Sequence, residues 1–187
     1  MSRSRYVAQA GLIAAVYAAL TIAINYLPFA LGWGLIQFRI SEAFTVVGLF
    51  TPAAIPGLAL GSVIANALNP YAVWPLSLLD VVFGSLGTLL GAVWMWRFRC
   101  RKALALAGPV IFNALIVPAY LPVILAGAGL YQVPLVGIDL EGAWLPMYLF
   151  GVAAIGVTEA IVVYGLGWPL SLALTRLRVF EESSRNG

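Results

Sequence analysis

Four charged side chains are chemically out of place: Arg39, Glu42, Asp80 and Glu159 all lie within or at the edges of long apolar runs. A charge facing lipid at mid-bilayer costs roughly 2.5–3.5 kcal/mol on insertion scales. Exposing all four would cost on the order of 10 kcal/mol, comparable to a protein's whole stability. They are therefore expected to face the interior of a helical bundle. Arg39 and Glu42 are three apart, on one face of a helix, where a mutual salt bridge is the plain structural reading. Asp80 has no basic neighbour in sequence, and Glu159 lies deeper, in the middle half of the membrane. Asn113 sits mid-span between Pro109 and Pro118, placed to hydrogen-bond across helices. Asn25, Asn66 and Asn69 lie near outer helix ends, where capping alone would explain them. Taken together, these groups favour one polar cavity opening outward.

Several chemistries are excluded. There is no histidine, so Ser–His triads and His-ligated metals are ruled out. The single cysteine, Cys100, can form neither an internal disulfide nor a thiolate metal cluster. No GxxxxGK[ST] phosphate loop is present, so the chain does not hydrolyse ATP by that route. The expectation is a protein that binds and carries rather than catalyses, with no cofactor, no metal and no nucleic-acid partner.

The elements that must position these groups follow from composition. Of 187 residues, 63% are hydrophobic and only 9% charged, with a mean hydropathy of +1.00. A soluble domain carries roughly 25% charged residues. A membrane span needs about 20 mostly apolar residues, which leaves room for several spans and no second, soluble domain. Six apolar runs occupy about residues 7–27, 35–50, 53–68, 76–96, 103–126 and 144–174. The second and third are separated only by Thr51-Pro52 and could form one span. Basic residues decide the count. They cluster at Arg3 and Arg5, at Arg97, Arg99, Arg101 and Lys102, and at Arg176, Arg178 and Arg185. Six spans with the N terminus inside keep all three clusters in the cytoplasm, whereas five would place the middle cluster outside. The expected fold is a single all-α domain, a six-helix transmembrane bundle with both termini cytoplasmic. The first run is too long for a signal-peptide core and is expected to be a retained helix. The sixth is too long for one perpendicular helix, so it tilts or ends at Pro169.

This topology sends three connections outward, at residues 28–34, 69–75 and 127–143. They carry Trp33, Tyr71, Trp74, Tyr131, Gln132, Asp139 and Glu141, which suits a lid over an outward pocket. The plainer alternative is an aromatic belt at the headgroup level. Small residues form a second pattern. Ala10, Ala14 and Ala18 make one stripe on the first helix, with Ala15, Ala19 and Ala23 beside it. Gly57/Gly61 and Gly87/Gly91 are GxxxG pairs. Such spacing lets helix backbones approach closely, within the bundle or against another membrane protein.

The segment Gln37-Phe38-Arg39-Ile40-Ser41-Glu42-Ala43, followed by Pro52-Ala53-Ala54-Ile55-Pro56-Gly57-Leu58, resembles the QueT family. Further matches are Ala65-Asn66, Asp80-Val81-Val82-Phe83-Gly84 with Thr88-Leu89, Phe112-Asn113-Ala114 and Gly156-Val157-Thr158-Glu159. The resemblance runs from about residue 6 to 170. It implies a substrate-binding component of an energy-coupling factor transporter for queuosine precursors, in a bacterial or archaeal cytoplasmic membrane. The implied partners are a membrane coupling subunit and two cytoplasmic ATPase subunits. An Ala-xxx-Ala motif on the first helix would dock the coupling subunit; Ala14 with Ala18, or Ala15 with Ala19, fits it. The implied cargo is a 7-deazaguanine base such as prequeuosine or queuine. Glu42, Asp80 and Glu159 are the candidate acceptors for its N–H groups or aminomethyl cation, and Asn66, Asn113, Gln37 and Arg39 the orienting groups. Trp33, Tyr71, Trp74 or Trp144 could supply a stacking face. Two rivals are an autonomous secondary transporter or channel and an intramembrane enzyme. No internal repeat of the kind common in secondary carriers is found, and no paired motif surrounds Asp80 or Glu159.

Overall fold

The computed structural model describes residues 2–26, 34–127, 132–133, 138–139 and 144–177. Within them lie six helical segments, in the order of the six apolar runs. The first helix, Arg3–Asn25, begins at Ser2, whose hydroxyl accepts the Arg5 backbone N–H at 3.4 Å. The fifth, Lys102–Gly127, keeps Pro109, Pro118 and Pro122 in its interior. Prolines are tolerated in membrane helices because neighbouring helices and local adjustments re-satisfy the freed carbonyls. The sixth runs without a break from Trp144 to Arg176, so Pro169 does not end it. A π segment, Ile161–Gly167, precedes that proline, and the proline falls at the start of the next α segment, Trp168–Arg176. These three helices are long and apolar enough to cross a membrane, and the protein is a multi-pass membrane protein.

The second and third runs are separate helices, Ile40–Leu49 and Ala54–Ala67, joined by a turn at Thr51-Pro52. The second is a 3-10 helix of ten residues. Runs beyond three or four residues are uncommon for that geometry, and this one is held by contact with all five other helices. The fourth helix opens with a π segment, Asp80–Gly84, and continues as α-helix over Ser85–Arg97. Beyond the helices, Gln132–Val133 pairs antiparallel with Ile138–Asp139, a short hairpin that hydropathy gives no reason to expect.

The first helix packs on the third, the third on the fourth, the fourth on the fifth and the fifth on the sixth, with the second helix filled in at the centre. Backbone approach at the first seam is set by glycine. A Cβ on Gly57 would stand 2.8 Å from the Ala10 carbonyl oxygen, and one on Gly61 would stand 2.7 Å from that of Ala14. Gly91 meets Pro109 Cα at 3.0 Å in the same sense, between the fourth and fifth helices. Apolar clusters around Val117, Leu121 and Ile124, around Ile13, Val47 and Leu58, and around Val46, Met95 and Leu106 surround the polar groups. Leu12, Leu78, Leu145, Leu149 and Val157 point outward, as a lipid-facing surface requires.

Candidate functional site

The charged residues that looked misplaced in sequence converge inside the bundle. Arg39, Glu42, Asp80 and Glu159 are each at most 4% exposed, as is Gln37, and Asn66 and Asn113 are equally buried. They form two tiers.

In the tier nearer the connection between the third and fourth helices, called the outer tier, Arg39 Nη2 donates to Asn66 Oδ1 at 3.1 Å. Asn66 Nδ2 donates in turn to the Asp80 carbonyl oxygen at 3.0 Å and to Ser62 Oγ at 3.4 Å. The Tyr120 hydroxyl donates to Asp80 Oδ1 at 2.6 Å, and its ring stacks on Phe83 with centroids 6.2 Å apart. Asp80 and Glu42 both act on the Arg39 charge, Asp80 the more strongly. Asn66 is therefore a structural member of the cluster rather than a cap.

In the second tier, called the deeper tier because it lies farther from that connection, the Tyr17 hydroxyl donates to Glu42 Oε1. Asn113 Nδ2 donates to Glu159 Oε1 at 2.9 Å. Asn113 and Glu159 also lie beside Glu42. Thr88 links the tiers, donating to Ser62 Oγ at 3.3 Å while lying beside Tyr17. Beyond any pairing with each other, Arg39 bonds Asn66 and Glu42 accepts from Tyr17.

Local helix geometry explains how three acids from three helices meet. Glu42 lies in the first turn of the 3-10 helix, Asp80 opens one π segment, and Glu159 stands two residues before the other. Such departures from α geometry rotate side chains off the regular stripe and are frequent at functional sites. Glycines clear the space. A Cβ on Gly84 would stand 2.9 Å from each of Asn66 Nδ2, Asp80 Oδ1 and Tyr120 Oη, and one on Gly87 would stand 2.9 Å from Asn113 Oδ1.

Some buried polar atoms have no partner among the described residues: Glu42 Oε2, Asn113 Oδ1, Ser85 Oγ and both side-chain atoms of the Asn25 amide. Native proteins leave few such atoms, and each marks an unmet requirement for a ligand, water or strain. No cluster of three or more His, Cys, Asp or Glu side chains that could hold a metal occurs among the described residues.

Residues 7–176 match the sequence model of a family described as QueT transporter. The chain belongs to the QueT transporter family. It is a transporter and not an enzyme. No curated protein and no solved structure matches it.

Other positions singled out in this QueT chain are placed as follows. Tyr71 and Trp74 are exposed, on the connection between the third and fourth helices. Trp144 is also exposed, its Nε1 donating to the Ala119 carbonyl at 3.0 Å and its ring stacked on Tyr148. Trp33 lies outside the described residues, as do Tyr131 and Glu141. On the first helix, Ala14 and Ala18 are buried, Ala14 against the third helix, while Ala15, Ala19 and Ala23 face outward. Sequence reasoning missed the two aromatic members of the site, Tyr17 and Tyr120. Both sit in the middle of apolar runs rather than at their ends, a placement that calls for a buried hydrogen-bond partner.

Proposed function

We propose that this QueT-family chain is the substrate-binding component of an energy-coupling factor importer, capturing a 7-deazaguanine queuosine precursor at the outer face. Hydrolysis of ATP by two cytoplasmic partner subunits, acting through a membrane coupling subunit, would drive delivery inward across a bacterial or archaeal cytoplasmic membrane. Six crossings with both termini inside accord with six successive helices and with basic clusters at alternate connections, Arg3 and Arg5, Arg97 to Lys102, and Arg176.

The observation that carries this reading is the composition of the buried cluster in a transporter-family chain. Three carboxylates, Glu42, Asp80 and Glu159, face one guanidinium, Arg39. This is an excess of acidic groups over cations. A deazaguanine presents adjacent N–H donors on its base edge, and prequeuosine adds an aminomethyl cation. Charge-assisted hydrogen bonds to such groups are the strong ones. Gln37, Asn66, Asn113 and Arg39 orient the acceptors. Trp74 and Tyr71, with Trp33, belong to a lid over the site. For the coupling subunit, the exposed face of Ala15 and Ala19 is the docking pair, because Ala14 and Ala18 are already covered.

Calorimetric titration of the purified protein with prequeuosine tests the cargo. Saturable binding at micromolar concentration is expected, and its absence alongside binding of an unrelated vitamin would refute the assignment. Uptake that persists in cells lacking the ATPase subunits would instead favour an autonomous carrier.

A further inference from the structure

We infer that the two tiers have different tasks: the ligand's N–H donor edge is read by the deeper tier, at Glu42 Oε2 and Asn113 Oδ1, and the Asp80 tier is a prebuilt support. The inference rests on the deazapurine reading above and assigns a role to each acid within it.

The outer tier is already committed. Asn66 uses both ends of its amide, accepting from Arg39 and donating to Asp80 O and Ser62. Asp80 Oδ1 is taken by Tyr120, and Asp80 acts on the charge of Arg39. Among the described residues, no acceptor in that tier is buried without a partner. The deeper tier differs. Glu42 is 0% and Asn113 3% exposed, yet one oxygen of each lacks a partner among the described residues. The donation from Asn113 Nδ2 to Glu159 fixes the amide orientation, so the free atom is its oxygen. Tyr17 occupies the other Glu42 oxygen. Both vacant atoms are acceptors, and the two side chains that carry them lie beside each other, with Glu159 next to both.

Two neighbouring acceptors specify a ligand with two neighbouring donors. A 2-amino-lactam edge, as in guanine, offers a ring N–H beside an exocyclic amine. A lactam without the 2-amino group can satisfy only one acceptor. A site built around buried polar groups rejects analogues that leave them unpaired far more strongly than an apolar pocket does. The 2-amino-lactam edge of a deazaguanine meets this requirement, and discrimination falls at its 2-amino group.

The experiment compares the affinities of purified wild-type protein and its variants for 7-deazaguanine and 7-deazahypoxanthine, which differ only in that amine. Wild type is expected to favour 7-deazaguanine by at least about tenfold. In Glu42→Gln the amide oxygen keeps the Tyr17 bond and the NH2 meets the ligand's donors, so the ratio should fall to within about threefold of unity. Asn113→Leu should lower the ratio too, and serves if the Glu42 variant does not fold. Asp80→Asn should keep it, whatever it does to affinity overall. A ratio near unity in wild type overturns the inference without touching the proposed function. So does a ratio unchanged in Glu42→Gln and Asn113→Leu but lost in Asp80→Asn. Wild type that binds neither compound overturns the proposed function itself, and the inference with it.

Discussion

Replacing Gly84 by alanine adds one methyl group to the point where three polar atoms of the outer tier meet. Each of Asn66 Nδ2, Asp80 Oδ1 and Tyr120 Oη would lie 2.9 Å from the new carbon, closer than real Cβ contacts allow. The three cannot retreat independently, because Tyr120 is bonded to Asp80 at 2.6 Å and Asn66 is bonded to both Arg39 and Asp80. Overpacking in a filled interior costs about 1–3 kcal/mol. Relieving it by opening the Tyr120–Asp80 bond costs about 1.5–3 kcal/mol, as for hydrogen bonds to charged groups. These are alternatives rather than a sum. Alanine recovers about 0.5–1 kcal/mol relative to glycine in a helix, so the net loss should be roughly 1–2 kcal/mol. At about 2–4 °C per kcal/mol for a chain of this size, the melting midpoint in detergent should fall by roughly 2–8 °C. Gly165 is the control, since a Cβ there would meet nothing within 4 Å; Gly165→Ala should melt at or above the wild-type temperature. Adding Tyr120→Phe to Gly84→Ala removes one of the three colliding atoms, so the double variant should lose less than the two single losses added, by about 0.5 kcal/mol or more. A Gly84→Ala protein that melts like wild type, or a double variant that is strictly additive, would refute the packed outer tier.

Three further outcomes follow from the same geometry. Tyr17→Phe deletes the donor to Glu42 and should cost about 1–3 kcal/mol of stability, read by thermal melting; an unchanged midpoint would mean the phenol does not hold Glu42. Gly61→Leu forces a side chain onto the Ala14 carbonyl and should cost about 1–3 kcal/mol or more, whereas Gly11→Leu, on an open face, should leave melting unchanged. Ala19→Trp should keep ligand binding and stability within about 0.5 kcal/mol of wild type while abolishing co-purification with the coupling subunit. Retained co-purification would remove the exposed alanine face as the docking surface.

The sequence made the helices and the acids legible for the same reason. In a chain this apolar, long runs without charge have to be helices, and a charge inside a run has to find an interior. The run at 103–126 differs from the helix Lys102–Gly127 by one residue at each end. The first helix begins earlier than its apolar run because Ser2 caps a polar first turn. Hydropathy does not distinguish 3-10, α and π winding, so the distortions that bring Glu42, Asp80 and Glu159 together were not readable. Tyrosine hides for a different reason. It is at home at membrane interfaces, so Trp74 and Tyr71 drew attention while Tyr17 and Tyr120, deep in their helices, did the bonding. The two alanine stripes are adjacent and equal in sequence; only the glycine pair on the third helix determines which one is covered.

The first helix therefore has two distinct sides on one rod. It is α-helical without interruption over Arg3–Asn25 and holds no proline. Tyr17 reaches inward to Glu42, and Ala15 and Ala19, two residues to either side, look out. A rod of this kind turns as a whole. Whatever rotates Tyr17 about the axis also rotates the outward alanine face by the same angle. The polar interior and the outside surface are thus geared to each other by a single element, with no chain of intermediate contacts between them.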